Sequence, residues 1–175
     1  DSGSKDRLEH LVVDQLASSR CVRSPRMVRE GRLPSRPLCV PACGVLIVLR
    51  MAVRTGLTSS VELNVEDGDT ALAFGSGDVP VLATPRIIAL VEEATVAALD
   101  GELEDGQTTV GVRVQVEHIS PTGVGRKVRA DCCLEKVQGS RLMFTVSARD
   151  DHGLVAAGKV TRVVVDRDGF LGKVR

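Results

Sequence analysis

Residues 83–99 read ATPRIIALVEEATVAAL, which is the strongest helical pattern in the chain. Thr84 is a favoured N-cap residue, and Pro85 suits the first helical position because its missing N–H would have no partner there. Apolar residues occur almost all round this helix, which is predicted to begin at Pro85 and to end before Asp100-Gly101. Such a helix is predicted to be wrapped by other structure rather than laid on a surface.

A strand and a turn are predicted ahead of this helix. Val61, Leu63 and Val65 alternate with polar residues, which is typical of a strand with one buried face. The sequence Asp67-Gly68-Asp69 predicts a turn. The short run from Thr70 to Phe74 is interpreted as a second strand that closes a hairpin.

Four further strand-like runs follow the helix, and no second helical pattern separates them. Each run alternates apolar and polar residues, so each is predicted to bury one face. The fourth run extends from Val155 to Val165. The predicted inward faces of the first three are Val110, Val112, Val114, Val116 and His118; Val128, Ala130, Cys132 and Leu134; and Leu142, Phe144, Val146 and Ala148.

The order of these elements predicts the fold. Successive strands after a single helix cannot form repeated strand–helix–strand units, so the sheet is predicted to be mainly antiparallel. One antiparallel sheet curved around one long buried helix is the α+β arrangement called the hot-dog fold. A lone sheet of this size leaves an edge strand exposed, so a homodimer is predicted, and further pairing into a dimer of dimers is left open.

Residues 1–50 differ in composition from the rest of the chain. They mix Arg, Ser and Pro, as in Arg23-Ser24-Pro25-Arg26, without the periodicity of a helix or a strand, and this predicts disorder. Arg and Ser are also typical of organelle transit peptides, but the acidic residues Asp1, Asp6, Glu9, Asp14 and Glu30 argue against one. The favoured interpretation is a disordered or non-native extension ahead of a natural start at Met51, with residues 51–175 as the domain.

The charge and cysteine content limit the classes of partner. Lys and Arg together number 23, as do Asp and Glu, so the chain has no electrostatic preference for nucleic acid or an anionic membrane. The apolar run from Val45 to Leu49 is far too short to span a bilayer. The five cysteines have no Cys-x-x-Cys spacing, and the three histidines have no metal-ligand spacing. We therefore expect a cytoplasmic protein with no metal and no other cofactor.

Three polar residues are candidates for chemistry, although each also has a structural interpretation. Glu92 lies on an apolar helical face, where a carboxylate suits general-base work but can equally be a partly exposed surface residue. His118 continues an apolar strand face, where a neutral His is often purely structural. Thr84 is explained by capping, yet N–H groups at a helix start can hold an oxyanion beside such a hydroxyl. If the three converge on one cleft, they indicate hydrolysis of an activated acyl group.

These residues fall within motifs that match a known family. Ala83-Thr84 is followed eight residues later by Glu92, and Gly111 precedes the sequence His118-Ile119-Ser120-Pro121-Thr122-Gly123-Val124-Gly125. The last strand contains Gly158-Lys159-Val160-Thr161-Arg162, with Phe170 and Lys173 beyond it. This combination resembles the fluoroacetyl-CoA thioesterase-like hot-dog proteins over most of residues 51–175. The resemblance implies that Thr84, Glu92 and His118 are catalytic and that Gly111 lies close to the acyl thioester.

Three departures from the family pattern affect the expected substrate. Gly123 replaces a Pro, which should loosen the turn without moving the His, and Val112 stands where a Thr or Ser often follows the glycine. The segment 75–80 lacks the aromatic residues of the fluoroacetyl-specialised member. The expected substrate is a small or medium acyl-CoA, and the missing aromatic residues argue against fluoroacetyl-CoA itself.

The resemblance implies an acyl-CoA thioesterase in which Glu92 and His118 activate either water or Thr84. Backbone N–H groups near the helix start or Gly111 would stabilise the oxyanion. Four basic residues are candidates for the CoA phosphates, although each can also be part of a solvated strand face: Arg126, Lys127, Arg129 and Arg162.

Two other functions are compatible with the same fold. One is a non-catalytic module that binds acyl-CoA. The other is an enoyl-CoA hydratase, which usually pairs an Asp and a His on one segment, and no Asp precedes His118 at such a spacing.

Overall fold

The computed structural model describes residues 53–174, and within this range five strands form one sheet. The order across the sheet is β1-β3-β4-β5-β2, and every neighbouring pair is antiparallel. The antiparallel sheet predicted from the order of elements is therefore confirmed. The strands are β1 (Thr58–Asn64), β2 (Gln107–His118), β3 (Lys127–Gln138), β4 (Arg141–Asp150) and β5 (Gly153–Asp166).

One long helix lies against this sheet. The α-helices are α1 (Ala71–Phe74), α2 (Thr84–Ala97) and α3 (Arg167–Leu171), and short 3-10 helices span Asp67–Asp69 and Gly172–Val174. Helix α2 buries one face against the strands through Ile87, Leu90, Val91 and Ala94. The predicted hot-dog arrangement is confirmed.

The predicted wrapping of α2 holds for only one side of the helix within a single chain. Ile88 and Ala89 are half-buried, and Val96 is 51% exposed. Apolar surface on a helix is usually covered by other structure. The outer side of α2 is therefore available for contact with another chain.

Strands β3, β4 and β5 form most of the buried core. Every inward residue predicted for β3 and β4 is buried, and Phe144 is the largest fully buried side chain. In β5, Val155 and Val160 are also fully buried. Alternation identifies the inward faces of β3 and β4 because these strands have a neighbour on both sides and pack one face on α2, whereas β5 buries the consecutive residues Val155, Ala156 and Ala157.

The predicted strand from Thr70 to Phe74 is wrong, because these residues form helix α1. The side chain of Thr70 accepts a hydrogen bond from the N–H of Ala73, and Gly75 ends the helix in the left-handed conformation. A short apolar run does not distinguish a helix from a strand, and here a capping Thr and a terminating Gly favour the helix. Strand β1 consequently pairs with β3 and not with a hairpin partner.

The predicted inward face of β2 is also partly wrong. The register against β5 shifts between Gly111 and Arg113, so Val112 is the extra residue of a bulge and is 50% exposed. Because Gly111 pairs with Arg162 and His118 pairs with Ala156, both lie on the face of the buried β5 residues. Val114 and Val116 share that face, whereas Val110 and Val112 do not pack on the core.

Several predictions concern absent features or the start of the chain. No helix of residues 53–174 is long and apolar enough to cross a membrane. In the same part of the chain, no group of three or more His, Cys, Asp or Glu residues could hold a metal ion. The predictions for residues 1–50 and for a start at Met51 lie outside the described residues.

Candidate active site

Thr84 and His118 meet where the start of α2 approaches the end of β2. The distance between Thr84 Oγ1 and His118 Nδ1 is 2.9 Å. The prediction that Thr84 caps the helix is wrong, since the N-cap is Ala83 and Thr84 is the first helical residue. The Thr84 hydroxyl is therefore not used in capping and bonds to the imidazole.

The environment of His118 favours the neutral imidazole. Burial lowers the pKa of His118, and a hydrogen bond with the backbone of Ser120 opposes this shift. Its Nε2 atom is buried without a hydrogen-bond partner among residues 53–174. A buried polar atom without a partner costs free energy, and such atoms in native proteins often belong to catalytic sites.

Glu92 and Gly111 form a second close contact, between the middle of α2 and the bulge of β2. A Cβ atom added at Gly111 would overlap Glu92 Oε1. Any larger residue at this position would therefore displace the carboxylate from its place beside the strand. The Glu92 side chain is 34% exposed, so its carboxylate contacts protein atoms on one side and solvent on the other.

Arg162 is the functional candidate whose role the sequence analysis missed. It is one of the four basic candidates for the CoA phosphates, but its side chain points to α2 and is only 8% exposed. Its Nη1 atom lies 3.4 Å from Glu92 Oε1. The alternation of β5 contained the signal, because position 162 continues the inward series of Val160 and Val164.

The structure thus brings the predicted residues together as two groups within one chain. Thr84 contacts His118, and Glu92 lies against Gly111 and Arg162. Glu92 lies eight positions after Thr84, which corresponds to about 12 Å along the axis of α2. The Glu92 carboxylate and the imidazole are therefore at different points along the helix of one chain.

The comparison with family models matches residues 65–168 to the fluoroacetyl-CoA-specific thioesterases. The chain belongs to this family. A fluoroacetyl-CoA thioesterase from Streptantibioticus cattleyicolor is 35% identical over 95 residues, which are 54% of this chain and 68% of that protein. The chain is accordingly a hydrolase of acyl-CoA thioesters.

Solved structures support the same assignment. A structure of a fluoroacetyl-CoA thioesterase has a TM-score of 0.67 and 29% identity, and covers 71% of this chain and 96% of its own. A hot-dog-like protein from Thermanaerovibrio acidaminovorans has a TM-score of 0.65 and 27% identity, and covers 71% and 92% of the two chains. The similarity therefore extends over nearly the whole of each solved domain.

This thioesterase has a cleft of about 1020 Å³ beside Glu92. The lining includes Arg162 and Arg167, but acidic residues outnumber them: Glu92, Glu93, Asp100, Glu104 and Asp105. An acidic lining repels phosphate groups. This side of the thioesterase is therefore electrostatically unsuited to the phosphates of CoA.

The other three basic candidates of the thioesterase lie nearer the surface, and each pairs with an acidic residue. Such exposed ion pairs contribute little to stability and can exchange partners. Their use by CoA phosphates stays a prediction. The nitrogen–oxygen distances are 3.2 Å for Arg126–Asp151, 3.0 Å for Lys127–Glu62 and 3.0 Å for Arg129–Asp131.

Proposed function

We propose that this thioesterase hydrolyses small or medium acyl-CoA thioesters with Thr84, His118 and Glu92 as its catalytic residues. The observation that carries the proposal is the 2.9 Å contact between the Thr84 hydroxyl and His118 Nδ1 at the start of α2. A hydroxyl bonded to a neutral imidazole is the arrangement that activates an oxygen nucleophile. The helix start beside it supplies N–H groups for a developing oxyanion.

His118 is proposed as the group that moves the proton. As a neutral base it takes a proton either from Thr84 or from a water molecule that Thr84 orients, and it returns the proton to the leaving thiolate of CoA. On the Thr84 route the acyl group is transferred to the Thr84 oxygen, and a water molecule activated by the same imidazole then releases the free acid. The lowered pKa of His118, caused by burial, keeps the imidazole in the required form at neutral pH. Both routes use the same contact, so Thr84 is either the nucleophile or the residue that positions water.

Glu92 is proposed to complete this site from a second copy of the chain. The outer edge of β2 has no strand beside it among the described residues, although the strand is twelve residues long. Long open edges in soluble proteins are normally covered or paired. Two-fold pairing of β2 with the β2 of a second copy covers this edge and makes the homodimer.

The register of that pairing decides which residues meet. Residues directly opposite each other in an antiparallel pair project from the same face of the sheet. Gly111 and His118 both face the helices, so a register with Gly111 opposite His118 of the second copy keeps both sheets intact. Glu92, which touches Gly111, then reaches the Thr84–His118 pair of the other chain, and each dimer has two such sites.

The segment ahead of α2 bears on the choice of acyl group. The segment 75–80 has no aromatic side chain, so we expect acyl-CoA substrates other than fluoroacetyl-CoA. A cytoplasmic location and a further pairing of dimers stay predictions from the sequence.

The proposal is tested by hydrolysis of a panel of acyl-CoA thioesters of increasing chain length, with detection of free thiol. The parent protein should turn over short and medium acyl groups best. Glu92→Gln and His118→Gln should each lower kcat/KM by on the order of 100-fold or more, the scale of a lost acid–base residue.

Two neighbouring substitutions serve as controls for this assay. Glu93→Gln removes the adjacent exposed carboxylate, and His152→Gln removes an exposed imidazole, and both should retain parent turnover. Parent-like turnover by Glu92→Gln or His118→Gln would disprove the catalytic assignment. Tight binding of the panel without any thiol release would instead support the non-catalytic module.

A further inference from the structure

Thr122 and Asp150 form a buried hydrogen bond that the proposed mechanism does not use. Thr122 lies in the turn between β2 and β3 and is fully buried, and the side chain of Asp150, the last residue of β4, is 3% exposed. The Thr122 hydroxyl donates to Asp150 Oδ2 at 3.0 Å. A buried hydroxyl and a buried carboxylate need such partners, so the pair holds this turn against the end of β4.

Asp150 has further partners that keep its carboxylate in place. Its Oδ1 accepts a hydrogen bond from the N–H of His152 at 2.8 Å, and Arg126 Nη1 lies 3.9 Å from Oδ2. Hydrogen bonds to a charged carboxylate are stronger than those between neutral groups. Because both of its oxygens are engaged, the Asp150 side chain is fixed in orientation as well as in position.

The main chain of Thr122 connects this pair to the candidate active site. Its carbonyl oxygen accepts a hydrogen bond of 2.8 Å from the N–H of Leu82, which is two residues before Thr84. Thr122 itself is four residues after His118. The two sides of the 2.9 Å contact in the site are thus joined through Thr122, whose hydroxyl is anchored to Asp150.

The turn between β2 and β3 is held at both ends by main-chain hydrogen bonds. The N–H of Ile119 donates to a carbonyl oxygen of β5, and the N–H of Gly125 donates to the carbonyl oxygen just after β1, each at 2.8 Å. Between these points Gly123 follows Thr122, and open space surrounds the position of its missing side chain. Glycine has more backbone freedom than any other residue, so the Thr122 side chain restrains the turn where its main chain is most flexible.

We propose that Thr122 and Asp150 are positioning residues for the thioesterase reaction. They hold the turn after β2 so that the His118 imidazole stays within hydrogen-bond distance of the Thr84 hydroxyl. Both act through that contact and neither reacts with the substrate, so this inference rests on the proposed catalytic role of the contact. A displacement of about 1 Å at such a contact is sufficient to impair catalysis strongly.

The first test compares Thr122→Val with the parent protein in the free-thiol assay. Val keeps the shape of the side chain without the hydroxyl, so kcat should fall roughly tenfold with little change in KM, because a misplaced base impairs chemistry more than binding. Thr122→Ser restores the hydroxyl and should retain about half of the parent kcat or more.

Thr145→Val is the matched control for the loss of a buried hydroxyl. Thr145 lies in the middle of β4, and its hydroxyl is buried without a hydrogen-bond partner among residues 53–174. This variant should keep the parent kcat. Equal losses in Thr122→Val and Thr145→Val, or a Thr122→Ser protein as impaired as Thr122→Val, would contradict the proposal.

A second readout separates positioning from a loss of stability. In protein labelled with ¹⁵N at histidine, at a pH where the imidazole is neutral, the ring nitrogens of His118 are assigned by their loss in His118→Gln. Thr84→Val removes the hydroxyl at Nδ1 and should shift the Nδ1 resonance. Thr122→Val should shift it in the same direction, and Thr145→Val should not. An unmoved Nδ1 resonance in Thr122→Val would overturn the proposal.

A double variant tests whether the effect of Thr122 acts through the Thr84–His118 contact. In the Thr84→Val background, Thr122→Val should lower the residual kcat by less than about twofold, because both changes disrupt one interaction. Losses that multiply would overturn the proposal, since they would mean that Thr122 acts elsewhere.

Asp150→Asn keeps the proposal testable if Thr122→Val does not fold. The amide has one acceptor oxygen in place of two, so the Thr122 hydroxyl and the His152 N–H compete for it, and kcat should fall roughly fivefold. Asp151→Asn, which changes an adjacent carboxylate that is 68% exposed, is the control and should keep the parent kcat. Parent-like kcat in both Asn variants would contradict a positioning role.

Failure of this inference is distinguishable from failure of the proposed function. If His118→Gln turns over like the parent, the catalytic role of the contact is wrong, and the inference falls with it. If His118→Gln is impaired while Thr122→Val and Asp150→Asn keep the parent kcat and the parent His118 resonance, only the inference about Thr122 and Asp150 is wrong.

Discussion

Strand β2 and strands β3–β5 belong to one sheet, but β3–β5 supply most of the buried core and β2 supplies residues of the candidate site. Strands β3, β4 and β5 make the core, with Phe144 and Val146 fully buried, although the register also shifts at Leu134/Lys136 and at Ala148/Arg149. Strand β2 carries a bulge, a glycine against Glu92, an imidazole at its end and an open edge. The strands that make the core therefore account for stability, whereas β2 positions the chemistry.

The largest effect on stability is expected from the strands that make the core. Phe144→Ala should lower the free energy of unfolding by about 3–5 kcal/mol, because it leaves a cavity under α2. The folded fraction should keep the parent kcat. Urea unfolding followed by circular dichroism measures the first quantity and the thiol assay the second; a loss below about 1 kcal/mol would contradict this assignment of the core.

The largest effect on activity is expected at the bulge. Gly111→Ala places a methyl group where the Glu92 carboxylate lies, so kcat should fall by on the order of 100-fold while the thermal midpoint changes little. Gly68→Ala is the control, since open space surrounds that position. An active Gly111→Ala protein would show that the close approach of Glu92 is not required.

A smaller effect is expected from the protonation of His118. Because burial lowers its pKa, the neutral base should persist on the acid side, and kcat/KM should begin to fall only below about pH 6.5, the ordinary value for His. A pH–rate profile with a His-dependent midpoint at or above that value would contradict the prediction.

The lowered pKa of His118 also makes the free energy of unfolding depend on pH. The unfolded chain protonates this His at higher pH than the folded chain, so the contribution of His118 to stability is complete above the unfolded pKa. It is lost as the pH falls from the unfolded to the folded pKa. His118→Gln should flatten the unfolding free energy across this window.

The smallest effect is expected at the extra residue of the bulge. Val112 is 50% exposed, so Val112→Ser should change the free energy of unfolding by less than about 0.5 kcal/mol. Val114→Ser, two residues later on the core side, should cost more. Equal losses in the two variants would mean that the bulge does not change which side chains face the core.

The sequence was sufficient to predict the regular part of the molecule. Alternation in β3 and β4 and the apolar run of α2 identified the sheet, the helix and the hot-dog fold. Two local predictions were wrong, each for a physical reason. The short apolar run after Thr70 forms helix α1 because the Thr70 side chain caps it. The extra residue Val112 shifts the register of β2, so the residues before it face the opposite way from the prediction.

The site was predictable as a set of residues but not as a geometry. Thr84, Glu92, His118 and Gly111 were identified from motifs, and the contacts of Thr84 with His118 and of Glu92 with Gly111 emerge only from the packing of α2 on β2. Arg162 was expected on a solvated strand face or at the CoA phosphates because an arginine is usually exposed, although its position in β5 indicated the inward face.

The most direct test of a site shared between two copies is complementation of inactive variants. His118→Gln and Glu92→Gln proteins are each expected to be inactive, but mixed dimers hold one site with both native residues, so co-refolding should restore about a quarter of parent activity. Mixing Thr84→Val with His118→Gln should restore none, since both residues come from the same chain. No recovery with His118→Gln and Glu92→Gln, in dimers shown to have exchanged, would contradict the shared site.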